Sequence, residues 1–403
     1  MSQQPLKILH IIPSISMIYG GPSQMVRGLS ASLAYRGVEV MVLTTDSNGD
    51  AGQPPLDVPL DRPVEQDGYR VRYFHCSPFR RYKFSLDLLR WLWRHAGEFD
   101  LAHIHALFSP VSTAAAAIAR YKKLPYILRP LGTLDPADLR KKQWLKQIYG
   151  LLWERPNLAG AAGIHFTSVR EAKISERFGT QTRDLVIPLG VKPLEMPHQQ
   201  EARRRLGFPD NQPLVLFMSR IDPKKGLNLL IPALERLLEE KLDFHFVLAG
   251  ANPQDVEYEQ QITEQIKGSP LASRTTLIGF VTGELKATLL QDADLFVLPS
   301  YYENFGIAVA EAMVAGTPVV ISNQVYICED IQGAEAGWVS DCDVDALTDC
   351  LREALADAQE RQRRGINGQE HALKNYSWDA IAQQMIEVYQ SILNRQNSDL
   401  PKI

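Results

Sequence analysis

Cysteine is scarce in this chain. Its 403 residues hold four, Cys76, Cys328, Cys342 and Cys350. None forms a CxxC pair or falls at a zinc-binding distance from a histidine, which excludes a disulfide-stapled scaffold and a zinc module. Reduced, structural cysteines are expected. Long apolar runs are missing too: none reaches the length of a membrane span, and Lys7 to Pro13 is too short for a signal-peptide core. The expected location is therefore cytoplasmic. A basic excess is also absent. The formal net charge is −4, so composition gives no nucleic-acid partner. GxGxxG and the Walker lysine are missing, and so are internal repeats, low-complexity segments and heptads.

What remains is ordinary globular composition, 45% hydrophobic and 22% charged, in a chain long enough for two or three domains. Short apolar runs alternate with helical patterns. Lys7 to Ile12 predicts a strand, Gly20-Gly21-Pro-Ser a turn, Ser23 to Tyr35 a helix stopped by Gly37, and Val38 to Leu43 a strand. That order opens a doubly wound α/β domain. Residues 46–68 read as a long loop. Strands follow at Tyr69–Phe74, Asp100–His105 and Pro125 onward. A second series starts at Pro213–Ser219 and continues with Asp243–Gly250 and Thr276–Thr282. The expected fold is α/β, with two doubly wound Rossmann-like domains facing a cleft. Their expected spans are 1–193 and 194–376, with a hinge over Leu189–Pro197. Ile381–Leu393 reads as the body of a capped terminal helix, and Asn394–Ile403 as a frayed tail.

The densest chemistry lies between Asp294 and Val320. Asp294-Leu-Phe-Val-Leu-Pro299 predicts a buried strand, and Thr317-Pro-Val-Val-Ile321 another. Asn304 suits the N-cap of a helix starting at Phe305, and Gly316 suits its end. Glu303 then sits at the carboxyl end of a strand, and Glu311 about two turns into the helix. The N–H groups of Phe305, Gly306 and Ile307 would face an anion. Two carboxylates beside an anion cradle suit a ligand with hydroxyls at both ends and phosphates between them, a nucleotide-sugar.

This segment resembles the Glu-x7-Glu motif of the family 4 retaining glycosyltransferases, which have the GT-B fold. The flanking Pro-Ser and Glu-Ala-Met-x-x-Gly-x-Pro-Val-Val extend the likeness, which is densest from Arg220 to Trp338. The resemblance implies that Glu303 contacts donor-sugar hydroxyls and Glu311 the ribose. It places Arg220 and Lys225 of Ser219-Arg-Ile-Asp-Pro-Lys-Lys-Gly226 on the donor diphosphate. There they replace a metal, so neither cofactor nor metal is expected. It puts Asn304, Phe305, Gly306 and Ile307 around the donor and the backbone of Gly279-Phe280 on the nucleobase. Gly20-Gly21, otherwise a tight turn, falls near the diphosphate and acceptor. The terminal helix, 377–403, is expected to cross back to the first domain. His105 is an acceptor-side candidate or a hydrogen-bonded strand-end histidine. Leu131 departs from the pattern, standing where many relatives have His or Arg.

Two further readings are negative. His103 and His105 share one strand face, but no third ligand is visible nearby, so they do not read as a metal site. Asp292-Ala-Asp294 looks like the DxD metal motif of other glycosyltransferases. Asp292 ends a helix and Asp294 opens a buried strand, so both read as structural. Two basic, aromatic stretches have two readings each. Phe79–Trp93 carries Arg80, Arg81, Lys83, Arg90, Trp91 and Trp93; Leu139–Trp153 carries Arg140, Lys141, Lys142, Trp144, Lys146 and Trp153. They are ordinary surface helices, or they lie in a membrane interface. The expected function is sugar transfer from a nucleotide-diphosphate-sugar to a glycan or lipid-linked acceptor in polysaccharide or glycoconjugate synthesis. The competitors are a sugar phosphorylase or nucleotide-sugar epimerase of the same plan, and a silent sugar-nucleotide-binding module.

Overall fold

The apolar runs become strands because each is covered on both faces, the condition that favours parallel sheets over alternating ones. A computed structural model describes residues 5–49, 53–77, 83–139, 143–192, 200–209, 211–253 and 255–398. Arg80, Arg81, Arg140, Lys141, Lys142, residues 193–197 of the expected hinge and residues 399–403 lie outside the described residues. The chain divides into two compact units, Met1–Gly190 with Trp378–Ile403, and Val191–Ser377.

The first unit holds strands β1 (Lys7–Ile11), β2 (Glu39–Thr45), β3 (Val64–Gln66), β4 (Tyr69–Phe74), β5 (Leu101–His105), β6 (Tyr126–Arg129), β7 (Gly163–Phe166) and β8 (Asp184–Val186). They form one sheet in the order β3-β4-β2-β1-β5-β6-β7-β8, parallel except for the β3–β4 hairpin. That hairpin's first strand and its turn lie inside the expected 46–68 loop, and its second strand is the expected Tyr69–Phe74. Asp67 and Gly68 both have positive φ, which suits a two-residue turn between twisted strands. One face of the sheet packs on Leu88, Leu92, Val111 and Leu158, the other on Leu29, Leu33, Met385 and Tyr389.

The second face is completed by the terminal helix, Trp378–Ser398. It stays helical through the first five residues of the expected frayed tail, continuing a helix whose Met385, Tyr389 and Ile392 bury against the sheet. Gly28 is needed at this contact: a Cβ there would lie 2.3 Å from the Trp378 indole.

The second unit holds β9 (Leu214–Met218), β10 (His245–Ala249), β11 (Thr275–Leu277), β12 (Leu295–Leu298), β13 (Val319–Ser322) and β14 (Gly337–Ser340). Its six-stranded sheet runs β11-β10-β9-β12-β13-β14, and every pairing is parallel. Strand order reverses between β1 and β5 in the first unit and between β9 and β12 in the second. In doubly wound sheets ligands bind beyond the carboxyl ends of strands at such a reversal.

Candidate active site

The loops leaving β9 and β12 meet at the second unit's reversal. Gly226 has φ +76°, and a Cβ there would lie 2.0 Å from the Pro299 carbonyl oxygen. Only glycine permits both the left-handed turn and that approach. The Tyr301 N–H donates to the Lys224 carbonyl at 2.8 Å. The two loops are thus locked side by side, and the Lys225 ammonium pairs with the Glu303 carboxylate. Glu303 is fixed further by a bridge to Val325, its N–H donating to the Gln324 carbonyl at 3.1 Å. Arg220 is exposed in the same loop. Burial, then the neighbouring Lys225 charge, holds the Lys224 ammonium below its ordinary pKa, with Arg220 adding to the effect and Glu303 opposing it. Three cations, Arg220, Lys224 and Lys225, and two acids, Asp222 and Glu303, therefore share a small volume.

Glu311 lies on the helix Ile307–Val314, whose Val309, Ala310, Ala312 and Met313 are buried. Its carboxylate accepts from Lys286 Nζ at 2.6 Å. Lys286 belongs to the helix Gly283–Asp292, which follows the Gly279-Phe280 turn. Gly279 has φ +79°, and Phe280 is 78% exposed. Each glutamate of the motif is therefore paired with a lysine from another element. Lys286 and Lys224 carried no signal in the sequence. A lone lysine on a helix does not announce a partner 25 residues away.

One local expectation is corrected. Asn304 is not the N-cap. The cap is Gly306, at φ +78°, and the helix begins at Ile307. Glu303 stays extended in its bridge to Val325, so the chain turns later than the Asn304 signal suggests. The Asn304 side chain accepts from the Tyr302 hydroxyl at 2.7 Å. Phe305 is core, 2% exposed, with its ring centroid 5.2 Å from that of Tyr376. The amides at the helix start without a partner inside the helix are those of Ile307 and Ala308, so of the three expected amides Ile307 is kept while Phe305 and Gly306 precede the helix. Gly316 takes φ +83° just past the helix and donates to the Met313 carbonyl.

The Asp292-Ala-Asp294 pair is structural. Asp292 accepts from the N–H groups of Gln200, Ala202 and Arg203, capping the helix Glu201–Leu206, and Asp294 pairs with Arg203 at 2.6 Å.

In the first unit, Gly20 has φ +66° and caps the helix that starts at Gly21. His105 is fully buried beside His10, His103 and His165. The hydrogen bonds order the protons. His165 Nε2 must donate to the Ile187 carbonyl, so its Nδ1 accepts from His103 Nε2 and His103 Nδ1 accepts from the Tyr389 hydroxyl. His10 and His105 share one proton across 3.0 Å. Burial and Arg129 pull the His10 pKa down to about 3, and burial holds the other three well below the ordinary value. The tertiary structure thus supplies the third ring nitrogen that the sequence lacked, with donors from His10, His103 and His105 within 4.8 Å. Arg129, fully buried among them, opposes a dication there, so the cluster fits a neutral proton-ordered network.

Two family models match, "Glycosyl transferase 4-like domain" over residues 20–190 and "Glycosyl transferases group 1" over residues 198–371. An uncharacterized glycosyltransferase of Methanocaldococcus jannaschii is 33% identical over 46% of this chain and 47% of its own length, so that match spans about half of each protein. A phosphatidyl-myo-inositol mannosyltransferase of Mycobacterium leprae is 27% identical over 96% of this chain and 97% of its own. Among solved structures, sucrose-phosphate synthase of Thermosynechococcus elongatus superposes with TM-score 0.76 at 22% identity, covering 97% of this chain and 100% of that one. The Anabaena protein HepE, in complex with UDP and glucose, gives 0.72 at 21% identity, covering 96% and 100%. The chain belongs to the group 1 glycosyltransferases, in their family 4, with the GT-B architecture.

Proposed function

We propose that this enzyme moves a sugar, with retention and without a metal, from a nucleotide-diphosphate-sugar to a glycan or lipid-linked acceptor. The observation that carries the reading is the pair of lysine–glutamate contacts, Lys225 with Glu303 and Lys286 with Glu311, at the carboxyl edge of the second sheet. In this reading the second unit holds the donor and the first the acceptor. Arg220 and Lys225, with the amides of Ile307 and Ala308, hold the diphosphate. Glu303 orients the sugar, Glu311 the ribose, and the Gly279-Phe280 backbone the base. As the glycosidic bond breaks, its electrons go to the leaving diphosphate, and the fixed cations stabilise that charge. The acceptor hydroxyl attacks the oxocarbenium-like carbon from the same face and gives its proton to the leaving phosphate. HepE, whose solved complex contains UDP and glucose, supports a nucleotide-sugar donor. The product would enter polysaccharide or glycoconjugate synthesis.

Peripheral contact with the inner face of a membrane, from the cytoplasm, belongs to the same proposal. No helix among the described residues is long and apolar enough to cross a membrane. Yet Trp144, Leu145, Ile148, Leu151, Leu152 and Trp153 are all exposed, and such patches mark interaction surfaces. Co-sedimentation with anionic liposomes at low salt tests the contact; protein left wholly in the supernatant would remove it. The transfer reading is tested with a panel of UDP-, GDP- and ADP-sugars. A true donor raises the melting temperature, by the equivalent of about 2.7 kcal/mol at a hundred times its Kd, and slowly releases nucleoside diphosphate. If no donor does either, the reading fails. Release of sugar phosphate that depends on inorganic phosphate would instead favour a phosphorylase.

A further inference from the structure

The second unit holds a cavity of about 590 Å³ at the edge of its sheet opposite the Glu303 loop. Its floor is the chain just before β12, at Ala293 and Asp294, and just before β13, at Ala315, Gly316 and Pro318. These are the amino ends of two strands, whereas Glu303 lies beyond the carboxyl end of β12. One wall is the helix Ala358–Asn375, which lines the cavity with Ala358, Gln362, Ile366 and Gln369, spaced as one helical face. Gly365 lets that helix lie on the floor, since a Cβ there would fall 2.2 Å from the Gly316 carbonyl oxygen. Gln369 Nε2 ties it down by donating to the Val314 carbonyl at 3.0 Å. The other wall is the start of the helix Glu201–Leu206, with Gln200 and Arg203. Packed elements therefore frame the cavity, and no step of the proposed transfer uses it.

The charges around it are already engaged. Asp294 pairs with Arg203 at 2.6 Å, and Asp292 caps the helix Glu201–Leu206. Arg361 Nη1 donates to the Ala354 and Leu355 carbonyls at 2.8 and 2.9 Å, at the carboxyl end of the helix Val344–Ala356. Two arginines against two aspartates give an ion no net attraction. Among the described residues no aromatic ring lines the cavity, so a nucleobase has nothing to stack on. The groups left for a ligand are amides. Gln200 and Gln362 are exposed, and their side chains make no hydrogen bond among the described residues. Gln369 keeps its amide oxygen, since its one side-chain bond is made by Nε2. The Gln291 amide oxygen is buried with no partner among the described residues, which costs free energy until a donor reaches it. An amide donates and accepts from one planar group, and so do the neighbouring hydroxyls of a sugar. The small apolar floor suits the C–H face of a sugar ring.

We infer that this cavity binds a neutral carbohydrate, a segment of the glycan that the enzyme extends, away from the place of transfer. At about 590 Å³ it falls within the usual range of ligand pockets. Gln200, Gln362 and Ile366 are exposed at its edge, so a glycan chain can run on past it into solvent. A chain anchored there stays with the enzyme between transfers. The inference rests on the transferase reading for the word glycan, whereas sugar binding is measurable by itself.

The test is isothermal titration of the full chain with maltotriose, mannotriose, galactotriose and glucose 6-phosphate. At least one of the neutral trisaccharides is expected to bind. Replacing both Gln200→Ala and Gln362→Ala should weaken that binding roughly tenfold or more, the effect of two lost hydrogen bonds. Both side chains are exposed, and alanine is the best helix former at position 362, so the melting curve should match the parent's. Slow release of nucleoside diphosphate from the donor should be unchanged as well. Three results would overturn the inference. The first is no binding of any trisaccharide. The second is a folded double variant that binds trisaccharide like the parent, which would place the sugar elsewhere. The third is glucose 6-phosphate binding tenfold tighter than every neutral sugar, which would mean an anion site. If no nucleotide-sugar binds or turns over, the transferase reading fails, and the trisaccharide titrations still decide this one.

Discussion

Replacing Glu303 by alanine separates two jobs that the site gives to two acids. Glu303 is partly buried and paired with Lys225, whose side chain is 10% exposed. In the proposed reading its carboxylate accepts from hydroxyls of the transferring sugar. Losing a charge-assisted hydrogen bond of this kind costs about 1.5–3 kcal/mol, which lowers kcat/KM roughly 10- to 150-fold. Free nucleoside diphosphate carries no sugar, so its affinity should change less than about threefold. The sign of that small change is also set. Lys225 without Glu303 is a less neutralised cation, so diphosphate should bind equally or more tightly. Glu311→Ala should do the reverse. Its loss from the ribose should weaken nucleotide binding by a similar 1.5–3 kcal/mol while turnover at saturating donor falls little. Calorimetry with UDP or GDP and turnover assays on the same preparations measure both. Equal effects of the two changes on binding and turnover would refute the division of roles, as would Glu303→Ala weakening nucleotide more than tenfold.

Three further outcomes follow from the packing. Gly226→Ala should destabilise the second unit by more than about 2 kcal/mol and abolish donor binding, because the new methyl would sit on the Pro299 carbonyl; an unchanged melting temperature would show that the loops are not locked together. Asp292→Ala removes the acceptor for three N–H groups of the helix Glu201–Leu206, costing about 1–2 kcal/mol without creating or removing any dependence of turnover on divalent metal; a metal-linked loss of activity would restore the DxD reading. The histidine cluster should make the first unit acid-sensitive. With His10 lowered to about 3 from the ordinary 6.5, the unfolded chain binds the proton more readily. Stability is therefore full above pH 6.5 and lost as pH falls toward 3. Between pH 7 and 5.5 each buried neutral histidine should remove about 1 kcal/mol. Denaturant unfolding at the two values checks this, a shallower slope is expected for His165→Gln, and equal midpoints would refute it.

Much of this was legible along the chain. Buried parallel strands are mostly apolar runs, and Lys7–Ile11 and Leu295–Leu298 announced themselves in that way, whereas Tyr69–Phe74 alternates apolar residues with Arg70 and Arg72. Strand β3 was passed over because it is three residues long and the turn after it sits in a Gly- and Pro-rich stretch. The helix start at Ile307 was misplaced because Asn304 carries a local cap signal, and that signal yields to the strand-like bridge between Glu303 and Val325. Arg220 and Lys225 were legible from the family pattern, whereas their neighbour Lys224 was not.

The sequence by itself determined the alternation of strands and helices, the family motif of Glu303 and Glu311, and the absence of any helix-length apolar span. Those are matters of local period and near-neighbour spacing. Only the tertiary structure decided which lysine faces which glutamate, since Lys225 and Glu303 are 78 residues apart. It alone gathered His10, His103, His105 and His165 from three strands around Arg129. Such contacts depend on strand order, and strand order is fixed by how long connections wrap a twisted sheet rather than by the residues at the contact.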